Sequence, residues 1–165
     1  MDSNNLNSDV RQGLIFGVNS GVITTAGVVA GLVQANVNPT ILVVTIISLA
    51  VSDSLAEAYG LFLSKKGEEP EDNSLGPVKS LVGVLIMKIG VMLSFLIPLL
   101  FSRKLKYYKN MSWPIIWGLL ILTGLDYYTS KLRKEKILPY LVQHYVLLGI
   151  AILFNVFFSR IISKL

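Results

Sequence analysis

The sequence predicts an all-α membrane protein with five transmembrane helices, and two observations support this fold class. The 165 residues are 53% hydrophobic with a mean hydropathy of +0.62, which is more apolar than an average soluble domain. The apolar residues also collect in five long blocks, at about 13–35, 40–63, 79–101, 113–129 and 137–159. A helix of about 23 residues is about 35 Å long and can cross a hydrocarbon core about 30 Å thick. We therefore expect residues 1–165 to form a single transmembrane domain.

The first block is rich in small and polar residues for a membrane helix. Its sequence GLIFGVNSGVITTAGVVAGL contains glycines at four-residue spacing, namely Gly13, Gly17 and Gly21, and then Gly27 and Gly31. Such spacing lets another helix approach closely, so we expect this helix to pack against helix two or against a second copy. The block also carries an amide and hydroxyls, at Asn19, Ser20 and Thr24 among others.

The second block carries two carboxylates, Asp53 and Glu57, which lie four residues apart and therefore share one helical face. An ionisable side chain in a transmembrane helix costs a few kcal/mol, so it is expected to have a partner or a function. Because two neighbouring carboxylates repel when both are charged, we expect one to hold a proton until a cation arrives. A divalent metal would displace that proton, which couples metal flux to proton flux.

The longest connection, residues 64–78, is predicted to be a short acidic cytoplasmic loop. Its acidic residues are Glu68, Glu69, Glu71 and Asp72. They form either a solvated turn or a negative patch that attracts cations to an entrance.

The third and fifth blocks place two more ionisable side chains at a similar depth. From the helix rise, Lys88 lies about 13 Å and His144 about 10 Å from the proposed cytoplasmic ends. The corresponding depths are about 15 Å for Asp53, about 9 Å for Glu57 and about 10 Å for Ser20. Lys88 is interpreted as a charge partner of the carboxylates, either structural or as a built-in cation that competes with substrate. His144 is either a helix-to-helix hydrogen bond or a proton or metal ligand.

The fourth block is the shortest, and aromatic residues suited to membrane interfaces lie near both of its ends: Trp113, Trp117, Tyr127 and Tyr128. Asp126 lies about 4 Å from the end of this block, so we expect it near the headgroups.

The distribution of basic residues slightly favours a cytoplasmic N-terminus. Eight lie on the N-terminal side of the proposed membrane and six on the other side. The polar, acidic N-terminus does not resemble a cleaved secretory peptide. The net charge of +5 lies largely in loops that meet anionic lipid, so no nucleic-acid partner is expected. The predicted location is an integral, multi-pass position in the cell membrane if the chain is prokaryotic, or in a vacuole-type membrane if it is eukaryotic.

Two stretches of the first two blocks, FGVNSGVITTAGVVAGL and SLAVSDSLAEAYGLFLSKK, resemble the vacuolar iron transporter family. The resemblance covers residues 11–66. It implies a homodimeric five-helix carrier that exchanges protons for Fe²⁺ and similar divalent ions. The pathway would run along the dimer interface, lined by helices one and two, and the N-terminus would be cytoplasmic.

Several positions depart from the family pattern. Ser20 stands where the family has an aspartate in helix one. With the second helices aligned on Gly60, Glu57 stands at the position of a methionine and Leu61 at that of a glutamate. A carboxylate in place of a thioether favours harder ions such as Mn²⁺, Mg²⁺ or Ca²⁺. The connection 64–78 is also too short for the cytoplasmic metal-binding domain of the family's plant members, so the chain resembles a short prokaryotic-type member.

The sequence thus predicts a transporter of Fe²⁺/Mn²⁺-type ions, acting as a metal/proton antiporter, and no enzyme. The predicted metal ligands are Asp53, Glu57, Ser20, Asn19 and Thr24, and the predicted proton or charge partners are Lys88 and His144. No cofactor is expected besides the transported cation, and the expected partners are membrane lipid and a second copy. The alternative is a non-transporting membrane scaffold or subunit that keeps the transporter fold. One histidine, no cysteine and no HExxH or GxSxG pattern argue against a hydrolase.

Overall fold

The computed structural model describes residues 3–68, 75–104, 110 and 112–163, and these form helices without a strand. The helices are α1 (Ser3–Gln34), α2 (Pro39–Glu68), α3 (Leu75–Ser94), α4 (Leu96–Lys104), α5 (Ser112–Arg133) and α6 (Ile137–Ile162). Four stretches are long and apolar enough to cross a membrane: Ser8–Gln34, Pro39–Gly67, Leu75–Phe101 and Ile137–Ile162. The all-α prediction and the membrane character are therefore confirmed for these four. The fourth predicted block is a helix, α5, but it is not one of them.

Prolines mark the beginnings of most of these helices. A proline in the first turn needs no hydrogen-bond acceptor and already has a helical φ angle. Such prolines open α2, α3, α5 and α6: Pro39, Pro77, Pro114 and Pro139. In the turn between α1 and α2, Asn36 adopts φ 55°, and the Asn38 side chain accepts a hydrogen bond from the Thr40 N–H at 2.9 Å. The side-chain bond caps α2.

The third predicted block contains a break at Phe95, which separates α3 from α4. Pro98 cannot donate to the Ser94 carbonyl and its ring crowds that group, so the helix is interrupted one residue after Ser94. The Trp117 indole N–H donates to the Ser94 hydroxyl at 3.1 Å, which ties this break to α5.

Helix α1 lies at the centre of the fold and contacts α3, α6, α5 and α2, whereas α2 packs mainly against α3. Successive residues of α1 meet successive residues of α3, because Gly13 faces Ser80 and Gly17 faces Val84. The two helices are therefore parallel. α6 is also parallel to α1, since Gly27 faces Ala151 and Gly31 faces Asn155 one turn further on. The first, third and fifth predicted blocks therefore have the same direction.

The prediction that the glycines of helix one face helix two or a second copy is wrong. Gly13, Gly17 and Gly21 face α3, while Gly27 and Gly31 face α6. A Cβ atom at Gly13 would lie 2.3 Å from the Ser80 carbonyl oxygen, and one at Gly17 would lie 2.8 Å from the Val84 carbonyl oxygen. Four-residue glycine spacing indicates close helix approach but does not identify the partner helix. The glycine face of α1 is filled within the chain.

The predicted loop at 64–78 is shorter in the structure, because α2 continues to Glu68 and α3 begins at Leu75. Lys65, near the end of α2, pairs with Asp9 of α1 at 2.6 Å. This contact holds the helix beyond its apolar block. The remaining acids of the predicted loop, Glu69, Glu71 and Asp72, lie outside the described residues.

Candidate functional site

Asp53 and Glu57 of α2 meet Lys88 of α3 in an ion cluster. The Lys88 Nζ atom lies 2.7 Å from Asp53 Oδ2 and 2.6 Å from Glu57 Oε2. The Lys88 side chain is fully buried, whereas the two carboxylate side chains are 29% and 31% exposed. Two carboxylates and one ammonium leave a formal charge of −1. The ion cluster is therefore closed on the inside by Lys88 and open on the outer face of α2.

The surroundings of the ion cluster explain how a lysine can be fully buried there. Gly21 of α1 faces the lysine, and a Cβ atom at Gly21 would lie 3.3 Å from Lys88 Cγ and 3.5 Å from Met92 Cγ. The Ser54 hydroxyl donates to Met92 Sδ at 3.7 Å, and both side chains are fully buried. The missing side chain at Gly21 thus makes room for the aliphatic stem of Lys88, and its charged end reaches the carboxylates.

The ammonium of Lys88 occupies the place that a bound cation would take between the two carboxylates. Among the described residues, no group of three or more His, Cys, Asp or Glu side chains could hold a metal ion. A divalent cation at this position would have to displace the lysine and take its remaining ligands from neutral oxygens. Two carboxylate oxygen donors suit hard cations that prefer oxygen.

The three predicted ligands of α1 do not lie on the same side of that helix. Asn19 lies two residues before Gly21, which is about 200° around the helix. It lines a cavity against α5 and so faces away from the ion cluster. Ser20 and Thr24 are half-buried. The Ser20 hydroxyl finds no hydrogen-bond partner in the part of the chain that the structure describes. The structure therefore groups Asp53, Glu57 and Lys88 but does not bring Asn19 to them.

His144 pairs with Asp126 and not with the ion cluster. Its Nδ1 atom lies 2.5 Å from Asp126 Oδ1, and the Asp126 side chain is fully buried. Of the two interpretations of His144, the structure thus shows the helix-to-helix contact, between α6 and α5. The depth of Asp126 relative to the headgroups stays a prediction; within the fold, α5 continues past the predicted block to Arg133. Asp126 is therefore about 10 Å from the end of its helix, at the depth of His144.

Sequence reasoning missed a cavity of about 520 Å³ between α1 and α5. Its lining residues are Ser8, Arg11, Gln12, Ile15, Phe16, Asn19, Thr129, Leu132 and Arg133. The signal in the sequence is the spacing of the α1 members, which recur every three or four residues and so share one helical face.

No protein-family model, no curated protein and no solved structure matches this chain. The resemblance to the vacuolar iron transporter family therefore depends on the motifs of the first two helices. The ion cluster and its position in the fold are the structural features that bear on function.

Proposed function

We propose that the chain is a membrane carrier for divalent cations in which the ion cluster is the substrate site and Lys88 is a tethered cation. The observation that supports this most strongly is the ion cluster itself. The Lys88 ammonium of one helix lies within 2.7 Å of a carboxylate oxygen of both Asp53 and Glu57 on another, inside stretches that suit a membrane. Charged side chains at such depth are costly and are generally functional.

The charges of the ion cluster suggest how metal and proton flux are coupled. With Lys88 protonated, its charge is −1, so a divalent cation would change the charge to +1. If Lys88 releases one proton and withdraws its Nζ, the two carboxylates and the metal form a neutral site. Entry of one metal ion is then linked to exit of one proton, because metal ligands must be free of competing protons. Carboxylate ligands favour Mn²⁺ among the transition-metal candidates, with Fe²⁺ as a related substrate.

We propose α5 as the fifth transmembrane helix. It packs against α1, with Gly118 close to Val22 and Ala26 and Thr129 close to Asn19 in the shared cavity. These contacts make it antiparallel to α1, as a fifth span between α3 and α6 requires. With eight of the basic residues on the N-terminal side, the N-terminus is assigned to the cytoplasm.

We propose that a second copy covers the outer face of α2. Small residues recur there every four positions and are exposed: Ser48, Ser52, Ala56 and Gly60. Among the described residues, no atom outside the α2 backbone lies within 4 Å of a Cβ atom placed at Gly60. Small residues at this spacing favour close helix contact in membranes, and partly exposed carboxylates would be costly against lipid. A two-fold dimer would place two ion clusters beside one axis. The pathway would then be lined by helix two, with helix one behind it.

The second candidate function is a non-transporting scaffold or subunit. The observation that favours it is that Lys88 already contacts both carboxylates. If this contact is permanent, no cation can enter the site and the cluster only joins α2 to α3.

Ion uptake into proteoliposomes with an internal pH dye separates the two functions. Fe²⁺, Mn²⁺, Co²⁺ and Mg²⁺ are compared for the unchanged protein, for Glu57→Gln and for Glu135→Gln, a control at an exposed carboxylate outside the ion cluster. The carrier proposal expects metal entry with proton exit, lost in Glu57→Gln and kept in Glu135→Gln. If no ion moves in a folded, dimeric preparation, the carrier function is rejected and the scaffold function is the remaining candidate.

A further inference from the structure

The cavity between α1 and α5 carries positive charge at residues that are exposed. Arg11 of α1 and Arg133 of α5 both line it, and both are exposed. No carboxylate lines the cavity among the described residues. Two nearby acids have partners of their own: Asp9 pairs with Lys65, and Glu135 accepts a hydrogen bond from Tyr140, whose hydroxyl also contacts Arg133. The cavity is therefore electropositive.

Two polar groups inside the cavity lack partners. Thr129 is only 7% exposed, and its hydroxyl oxygen is buried without a hydrogen-bond partner among the described residues. The Asn19 side-chain oxygen is buried in the same way, and both residues line the cavity. Leaving a buried polar group unpaired is energetically unfavourable. A polar ligand in the cavity would satisfy them.

One wall of the cavity is apolar. It is formed by Ile15, Phe16 and Leu132, of which Phe16 is 40% and Leu132 42% exposed. In a membrane these side chains face the acyl chains. The cavity thus joins an electropositive polar part to a surface that suits a lipid tail.

We propose that the cavity binds a phosphate-type anion, which is either the headgroup of an anionic phospholipid or free phosphate. Arg11 and Arg133 supply guanidinium groups, which match phosphate oxygens in a bidentate manner. The Thr129 hydroxyl donates a further hydrogen bond to the same anion, whereas the Asn19 side-chain oxygen accepts one from a hydroxyl of the ligand, either on the phosphate or on the glycerol of the headgroup. This site is independent of the ion cluster, because Asn19 and Gly21 face opposite sides of α1.

The proposal is tested by measuring lipid binding to the purified full chain with native mass spectrometry. Phosphatidylglycerol and phosphatidylcholine are titrated separately, and millimolar inorganic phosphate is added as a competitor. The test variants are Arg11→Gln/Arg133→Gln and Thr129→Val. The control is Lys131→Gln/Lys136→Gln, which removes two exposed charges from the same side of the protein outside the cavity. Circular dichroism of every variant verifies folding.

The proposal expects one phosphatidylglycerol to bind more tightly than phosphatidylcholine. Loss of both arginines is expected to weaken this binding by about tenfold or more, from the strength of charged hydrogen bonds. Thr129→Val is expected to weaken it as well, and the lysine control to retain it. Competition by phosphate identifies a free anion as the ligand, and its absence identifies the lipid headgroup. Equal binding of both lipids together with no effect of phosphate would overturn the proposal. Equal losses in the arginine and lysine variants would also overturn it, since they indicate diffuse surface attraction.

Discussion

Replacing Lys88 by Met is expected to leave Asp53 and Glu57 without a counter-charge inside the fold. Met keeps most of the aliphatic volume of the lysine stem, so the packing against Gly21 changes little. Removing one partner from a buried ion pair costs about 3–5 kcal/mol. Because the carboxylates are 29% and 31% exposed, solvent partly compensates their charge. We therefore expect a loss of unfolding free energy near the lower end of this range, at about 3 kcal/mol.

The loss should be reversed when the charges are removed together. The triple variant Asp53→Asn/Glu57→Gln/Lys88→Met carries no charge at the ion cluster, and we expect its stability within about 1 kcal/mol of the unchanged protein, since neutral replacements of buried ion clusters are often tolerated. Lys79→Met, on the same helix, is the matched control and should cost under about 0.5 kcal/mol. Unfolding in mixed detergent micelles, followed by circular dichroism, measures these differences. If Lys88→Met is as stable as the control, or the triple variant is as unstable as Lys88→Met, then unpaired charge at the ion cluster is not the cause of the stability loss.

Two further predictions concern helix packing and the second buried pair, and the same unfolding assay measures both. Gly13→Ala is expected to cost about 2 kcal/mol, because its Cβ would lie 2.3 Å from a backbone oxygen of α3. Gly90→Ala has free space and should be neutral or stabilising by up to about 1 kcal/mol, so equal effects of the two would contradict the close α1–α3 contact. Asp126→Asn is expected to cost about 1–2 kcal/mol, because the buried carboxyl group is the hydrogen-bond partner of His144. Thr123→Val, which removes a hydrogen bond from an exposed position between the same two helices, should cost less, and the reverse order would count against a structural role for the pair.

Hydropathy and helix rise predict a large part of this structure from the sequence. The apolar blocks correspond to the helices in order, since long apolar segments have few other ways to satisfy their backbone groups in a membrane. Counting residues from the block ends also placed Asp53, Glu57 and Lys88 at one depth. The structure joins these three side chains. Depth is predictable because the helix rise is constant.

The sequence did not predict in the same way which side of each helix contacts which neighbouring helix. The glycine spacing of α1 indicated close contact, but whether α2, α3 or α6 supplies the partner depends on packing of the whole bundle. Hydropathy ended the fourth block at 129, whereas the helix continues to Arg133, because its last turn is polar. Asn19 was assigned to the metal site from a motif, although its position two residues from Gly21 turns it toward α5. The sequence therefore predicts how deep a residue lies along its helix better than it predicts which neighbouring helix the residue faces.

Titration of Mn²⁺ into the unchanged protein and into Lys88→Met tests whether Lys88 occupies the place of a transported cation. Removing the competing ammonium should tighten Mn²⁺ binding by about tenfold or more, and bound Mn²⁺ should restore the stability lost in the variant. Isothermal titration calorimetry measures the affinities, with the triple neutral variant as the blank. We expect tighter binding in Lys88→Met and none in the triple variant. No Mn²⁺ binding to either protein, or equal affinity for both, would contradict it and leave the ion cluster as a structural contact between α2 and α3.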